Sequence, residues 1–254
     1  MSKILESRDG PVTTITINRP EVRNALDQEA AAQLAAAFRR FDSDADARVA
    51  VLTGAEGSFC AGADLKEMAT RVDYQAWAGH ENGPTHPLLS KPVIAAVAGH
   101  ACAGGLGVAL WCDLRIADDT AVFGVFSRRW GVPMSDGTTV RLPRLIGMSR
   151  ALDMLLTGRA VNAQEAKEIG LVNYLTPTGH AVAEAQAMAA KMATFPQIAM
   201  NSDRRSAYMQ QGLPISEAIA EEMACADEAR RNEAQSGAAR FSAGAGRHGR
   251  FDDR

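Results

Sequence analysis

The sequence predicts an α/β fold that ends in an all-helical part. Short apolar runs alternate with amphipathic, alanine-rich segments over the N-terminal part of the 254 residues, the order expected of strands and helices packed in layers. From Gly179 onward alanine, glutamate and arginine dominate and no strand-like run recurs. Between these parts lies 92–113, PVIAAVAGHACAGGLGVALWCD. Its first half is a continuous apolar run of the kind a buried strand shows. A turn at Gly99 follows, and then Gly104-Gly105-Leu106-Gly107 open a second apolar run. Read as strand, tight turn, helix, this stretch puts glycines where a helix starts, so another backbone or a ligand can approach closely. The N–H groups of a helix start are unpaired and lie at the positive end of its dipole. They suit an anion, or an oxygen that becomes anionic during a reaction.

The elements follow in order. Segments 4–7 and 12–18 flank Asp9-Gly10, a hairpin signal. In the second, Ile15 and Ile17 alternate with Thr14 and Thr16, which predicts one buried face. Asp27 suits the N-cap of a helix running to about residue 41. A short buried strand is expected at 48–53, then a glycine-rich loop, GAEGSFCAGAD, and a helix from near Asp64. Segment 71–90 has weak periodicity, two histidines and two prolines, and is expected to be partly helical and mobile. Strands are expected at 114–117 and 121–123, and a turn at 130–133. Ser135 or Asp136 is placed to cap a helix that Pro143 interrupts. Ser149 is placed to cap 150–157, closed by Gly158. Asn162 and Glu165 have capping-box spacing for a helix ending at Gly170, before a last strand at 171–175. Helices are expected at 180–194, 196–211 and 214–235, with 244–254 fraying.

Hydrophobic residues make up 46% and charged residues 22%, ordinary values for a chain with a sizeable core. A net charge of −3 without a basic tract gives no reason to expect nucleic acid. Stretch 92–113 has the length a bilayer needs, but Pro92 and the break at 99–103 argue against a span. Cys60, Cys102, Cys112 and Cys225 form no C-x-x-C pair, so neither a disulfide framework nor a metal site is expected. The first ten residues lack the apolar core of a signal peptide, which makes a cytoplasmic location the default. The G-x-G-x-x-G, P-loop, G-x-S-x-G and H-E-x-x-H patterns are all absent. What remains is a pair of loops, Ala61-Gly62-Ala63-Asp64 and Ala103-Gly104-Gly105, each following a strand and opening a helix. Two such starts could aim two backbone N–H groups at one oxygen; as pattern alone they are equally two ordinary strand–helix turns.

At this point the sequence resembles the enoyl-CoA hydratase/isomerase, or crotonase, superfamily over nearly its whole length. The resemblance is carried by Asn18-Arg19-Pro20 with Asn24-Ala25-Leu26, Val51-Leu52-Thr53-Gly54, Phe59-Cys60-Ala61-Gly62-Ala63-Asp64-Leu65 and Lys91-Pro92-Val93-Ile94-Ala95-Ala96-Val97. It continues through Gly104-Gly105, Cys112-Asp113, Phe123-Gly124, Leu155-Leu156-Thr157-Gly158, Ala166-Lys167 and Gly170-Leu171-Val172. It implies an α/β spiral of ββα units over 1–195 and a helical region over 196–254 that joins copies into a homotrimer or homohexamer. It also implies an acyl-CoA thioester as partner, with coenzyme A part of the substrate and no separate cofactor or metal. The thioester oxygen would lie between the N–H groups of Ala63 and Gly104, and the adenine end near Arg23, Ala25, Ala61 and Leu65.

The departures bear on chemistry. Hydratases of this family carry one glutamate three residues after the oxyanion glycine and a second four residues after the Phe of Phe-Gly. Here these positions are Gly107 and Ser127. Glycine has no side chain and a serine hydroxyl is a poor general base at neutral pH. Asp136, in the 133–138 turn that faces the acyl pocket in this family, is the first candidate for a replacement acid/base, against a plain helix cap. His80, Glu81 and His86 are second choices; Glu67 reads as a surface carboxylate, and Arg128-Arg129 either attract an acidic acyl group or a CoA phosphate or form a plain surface pair. Three functions follow: an enzyme acting on a CoA thioester by hydration, isomerisation, hydrolysis or decarboxylation, a non-catalytic acyl-CoA-binding protein, or an assembly subunit that works through its helical C-terminal third.

Overall fold

The computed structural model describes residues 2–246. Strands β1 (Ile4–Asp9) and β2 (Val12–Ile17) form the hairpin, and helix α1 (Gln28–Ser43) follows, capped by Asp27, which accepts the Ala30 N–H. Strand β3 (Val49–Gly54) leads to α2 (Leu65–Thr70), capped by Asp64. Next come β4 (Val93–Val97), β5 (His100–Cys102) and α3 (Gly104–Trp111). Then β6 (Leu114–Asp118), β7 (Val122–Gly124) and a 3₁₀ turn Phe126–Trp130 precede α4 (Thr138–Ile146). After α5 (Met148–Thr157), β8 (Val161–Asn162), α6 (Ala163–Glu168) and β9 (Tyr174–Thr176), the chain is helical: α7 (Ala181–Ala193), α8 (Gln197–Met209), α9 (Ile215–Ala229) and α10 (Gln235–Ser242).

The strands form two sheets, β1-β2-β3-β4-β6-β9 and β5-β7-β8. Pairing from β2 to β9 is parallel. Parallel strands need cover on both faces, and β3 and β4 are buried along nearly their whole length. A repeat is visible. In β4-β5-α3 and in β6-β7 before α4, one strand enters the large sheet, the next enters the small sheet, and a helix follows. In β3-α2 the second strand shrinks to a single bridge, Cys60 to Ala101. The residues from Gly105 to Trp111 in α3 are all buried, as expected of a helix apolar on every side. Two compact units emerge, Met1–Met192 and Ala193–Arg254. Within the second, the first turn of α8 is closed by Glu233, whose carboxylate accepts the Ile198 N–H at 3.1 Å and the Ala199 N–H at 2.7 Å.

Several expectations need correction. The Gly99 turn does not run straight into a helix; β5 intervenes and pairs with β7. Strand β2 is not half-exposed: Thr13 and Thr14 are buried, and Gln186 of α7 donates to the Thr14 hydroxyl at 3.0 Å. Segment 71–90 holds no helix; its prolines and glycines favour turns, and it is anchored by buried Trp77, Ala78 and Leu89. Neither Ser135 nor Asp136 is the N-cap of α4, which is Gly137 at φ 86°. Pro143 does not interrupt α4: it lies in the second turn, where it removes one ladder bond, and the helix runs on to Ile146. Gly147, not Ser149, precedes α5. Asn162 caps α6 through the Glu165 N–H, but the Glu165 carboxylate turns to Arg159 instead of closing the box. The last strand starts at Tyr174, because Leu171 and Val172 are spent on the core. The long C-terminal helix is broken by one π turn, Arg230–Ala234. The fraying expected of 244–254 lies, beyond residue 246, outside the described residues. Among the described residues no helix is long and apolar enough to cross a membrane.

Candidate active site

The two glycine loops meet. Gly62, at φ 101°, is packed so that a Cβ there would lie 2.8 Å from the Gly104 nitrogen. One on Gly105 would lie 2.0 Å from the Cys60 carbonyl oxygen, and one on Gly104 3.5 Å from the Ala63 nitrogen. At Gly62 and Gly105 only glycine allows backbones this close, while the Gly104 contact is an ordinary one. The Ala63 bridge with Leu26 is made by its neighbours, with Leu26 N–H donating to the Gly62 carbonyl and Asp64 N–H to the Leu26 carbonyl. The Ala63 N–H is left over. Gly104 opens α3, whose N-cap residue Ala103 offers no side-chain cap. Among the described residues, neither N–H has a protein acceptor. Ala103 holds φ 48°, ψ −122°, a left-handed conformation that strains a residue with a Cβ. Its N–H is tied to the Gly124 carbonyl at 2.8 Å and its own carbonyl accepts the Gly107 N–H at 3.2 Å.

Both loops open on a cavity of about 510 Å³. Ala63, Gly104, Asp136, Arg23, Ala61 and Leu65 all line it. Ala25 does not; it is buried, and its carbonyl accepts from the Arg19 guanidinium. Arg23 stands at φ 53°, and its carbonyl accepts the Ala61 N–H at 3.0 Å. His80, Glu81 and His86 are exposed and stand off the cavity. Glu67 accepts the Gln28 N–H and pairs with Arg71. Arg128 and Arg129 donate to the Leu155 and Gly158 carbonyls.

Asp136 is the one carboxylate among the described residues that line the cavity. It is 4% exposed, and burial pushes its carboxyl above the ordinary range, with the Thr138 N–H and the Arg141 charge holding it down in part. Its Oδ1 accepts that N–H at 2.9 Å. Its main-chain oxygen accepts from Arg141 Nη1 at 3.0 Å and from the Thr85 hydroxyl at 3.3 Å, while Arg141 Nη2 reaches the Thr85 carbonyl at 2.7 Å. The main chain of Asp136 is thus fixed by Arg141 and Thr85, and its carboxylate by the Thr138 N–H, which favours one geometry. Gly107 lies directly under it on α3. Ser127 is buried in the wall, its hydroxyl against Met134 Sδ at 3.4 Å.

Much of the apolar wall escaped the sequence. Tyr74, Trp77, Phe126, Trp130 and Met134 also line the cavity. The Trp77 ring lies on Gly104, about where a Cβ would meet it at 3.3 Å. An aromatic residue in a weakly periodic, proline-bearing segment was the one available signal. Trp130, 72% exposed, stands at the cavity. Burial pushes the thiols of Cys60 and Cys102 up to about 12, so neither is a nucleophile at neutral pH.

The chain is similar to known proteins over most of its length. A sequence model described as enoyl-CoA hydratase/isomerase matches residues 7–242. The enoyl-CoA hydratase EchA19 of Mycobacterium tuberculosis is 37% identical over 222 residues, 85% of this chain and 84% of that protein. The (E)-benzylidenesuccinyl-CoA hydratase of Thauera aromatica is 37% identical over 212 residues, 82% of this chain and 83% of that protein. The crystal structure of enoyl-CoA hydratase EchA1 from Mycobacterium marinum superposes with a TM-score of 0.89 at 34% identity, covering 95% of this chain and 96% of that one. By sequence and by its crotonase fold, the chain belongs to the enoyl-CoA hydratase/isomerase family.

Proposed function

We propose that the protein acts on an acyl-CoA thioester, holding the thioester oxygen between the Ala63 and Gly104 N–H groups and moving a proton beside the carbonyl with Asp136. The supporting observation is the meeting, in one cavity, of two unpaired backbone donors and a single desolvated carboxylate. Two preorganised donors favour an oxygen that gains charge, here that of an enolate. A carboxylate kept from water is a stronger base than one in solution. Gly107 and Ser127 supply no second carboxylate. One group is sufficient for a reaction in which a proton leaves one carbon and returns to another of the same molecule. The reading is therefore isomerisation of a 3-enoyl thioester: Asp136 takes a proton from C2, the dienolate is held by the two N–H groups, and the same proton returns at C4. No atom is gained or lost. Arg23, Ala61 and Leu65 would hold the nucleotide end; Ala25, off the cavity, is not included.

The relatives named as hydratases favour hydration as a second reading, with Asp136 orienting the water. The two readings separate in one assay. A short 3-enoyl-CoA and a short 2-enoyl-CoA are each mixed with the protein and the conjugated thioester absorbance is followed, with Asp136→Asn in parallel. Rising absorbance from the first substrate, lost in the variant by ~10²–10⁴-fold, supports isomerisation. Falling absorbance from the second, lost likewise, supports hydration. Neither, with tight CoA-ester binding by calorimetry, leaves a binding protein. We further propose that the helices of 196–254 join copies into a homotrimer or homohexamer.

A further inference from the structure

We infer that Gly107 is the positioning residue for Asp136: the carboxylate occupies its place against α3 because position 107 has no side chain. The inference rests on the reading of Asp136 as the acid/base. A Cβ on Gly107 would lie 2.4 Å from Asp136 Cγ, 2.5 Å from Oδ2 and 2.8 Å from Oδ1. All three are far inside the separation at which carbon and oxygen attract, so the carboxylate lies flat over the glycine. It has little room to retreat. Thr138, Thr85 and Arg141 clamp the residue on its other sides, and Gly79 packs so tightly on the Ser135 carbonyl that a Cβ there would lie 2.3 Å from its oxygen.

Glycine inside a helix is unfavourable relative to alanine, and α3 is a buried helix with no kink assigned at this point. The carboxylate accounts for the glycine. Position 107 also lies three residues along the helix from Gly104, a rise of about 4.5 Å. The helix therefore fixes how far the base stands from the N–H that holds the oxygen. Arg141 is the charge that acts on the carboxylate, the neutral Cys60 thiol feels it, and Arg23 and His100 line the same cavity. None of these is on α3, so a change at position 107 alters the place of the carboxylate without removing a charge.

The test uses the full chain with Gly107→Ala, Asp136→Ala, the double variant and Asp136→Asn. The first readout is thermal stability. Gly107→Ala is expected to lower Tm by several degrees, and the double variant to recover it, because the clash needs both groups. Equal losses that simply add would overturn the inference. If Gly107→Ala alone does not fold, recovery in the double variant carries the same result. The second readout is deuterium uptake at Cα of butyryl-CoA in D₂O across pH, which reports enolate formation whatever the natural acyl group. Gly107→Ala is expected to lower kcat by ~100-fold, as for a base displaced by about 1 Å, with KM nearly unchanged and the acid limb moved. Full exchange with an unmoved limb in Gly107→Ala, while Asp136→Asn is dead, overturns the positioning role and leaves the base standing. Full exchange in Asp136→Asn, or none in the unmodified protein, overturns both.

Discussion

Asp136 is held out of water against its own charge, and that sets two opposite effects of removing it. Its carboxyl titrates above the ordinary value in the folded protein. Between the two values the folded state binds more protons than the unfolded state, so stability falls as pH rises through this window. Asn keeps an acceptor for the Thr138 N–H but has no charge to desolvate. Asp136→Asn is therefore expected to have a higher Tm than the unmodified protein at pH 7, with the gap closing below the unfolded carboxylate value. Thermal scans from pH 3.5 to pH 8 check this. The active form of the base is the ionised one, so activity should fall with decreasing pH along a limb above 3.8. A limb at or below that value would place the base elsewhere. The family resemblance supplied Asp136 as a candidate, because it implies that the 133–138 turn faces the acyl pocket. It could not supply the burial, because Asp136 is covered by Thr85 on its main chain and Gly107 on its carboxylate, both far from it in the chain.

At the level of elements, the start of α3 is built under strain and under tight contact. Ala103 at φ 48° carries a Cβ where glycine would sit without cost. Ala103→Gly is expected to stabilise the fold by about 1 kcal/mol, the relieved backbone strain outweighing the greater freedom of the unfolded chain. Chemical denaturation measures it. Gly105→Ala should do the reverse. Its Cβ would lie 2.0 Å from the Cys60 carbonyl oxygen, so the two loops must separate, at a cost of about 1–3 kcal/mol. Activity should fall with stability, because the same movement draws the Ala63 and Gly104 N–H groups apart. The helix caps at Asp27, Asp64 and Asn162 were readable because each is a local bond between neighbours. Strand β5 was not, because its three residues take their partners from β7, some twenty residues on, and from Cys60, some forty residues back. The stretch 71–90 misled for a related reason: Trp77 takes its place from α3, which sequence periodicity does not see.

At the scale of the whole molecule, α9 presents Ile215, Ile219 and Met223 to solvent at helical spacing, 78%, 53% and 53% exposed. Large apolar groups in a row are costly to leave in water, which supports the proposed assembly. Light scattering on the 27.0 kDa chain is expected to give three or six times that mass, and Ile219→Glu to shift it toward the single chain. A monomeric unmodified protein would sink the assembly. The three tryptophans are distributed unevenly over the same molecule. Trp77 and Trp111 are buried, and Trp130 stands in solvent at the cavity wall. One indole, then, reports on water while the other two report on the core. The protein carries its own optical gauge of occupancy: a ligand that fills the cavity dries Trp130 and moves its emission to the blue, and Trp130→Phe removes that shift, leaving at the cavity only the already buried Trp77.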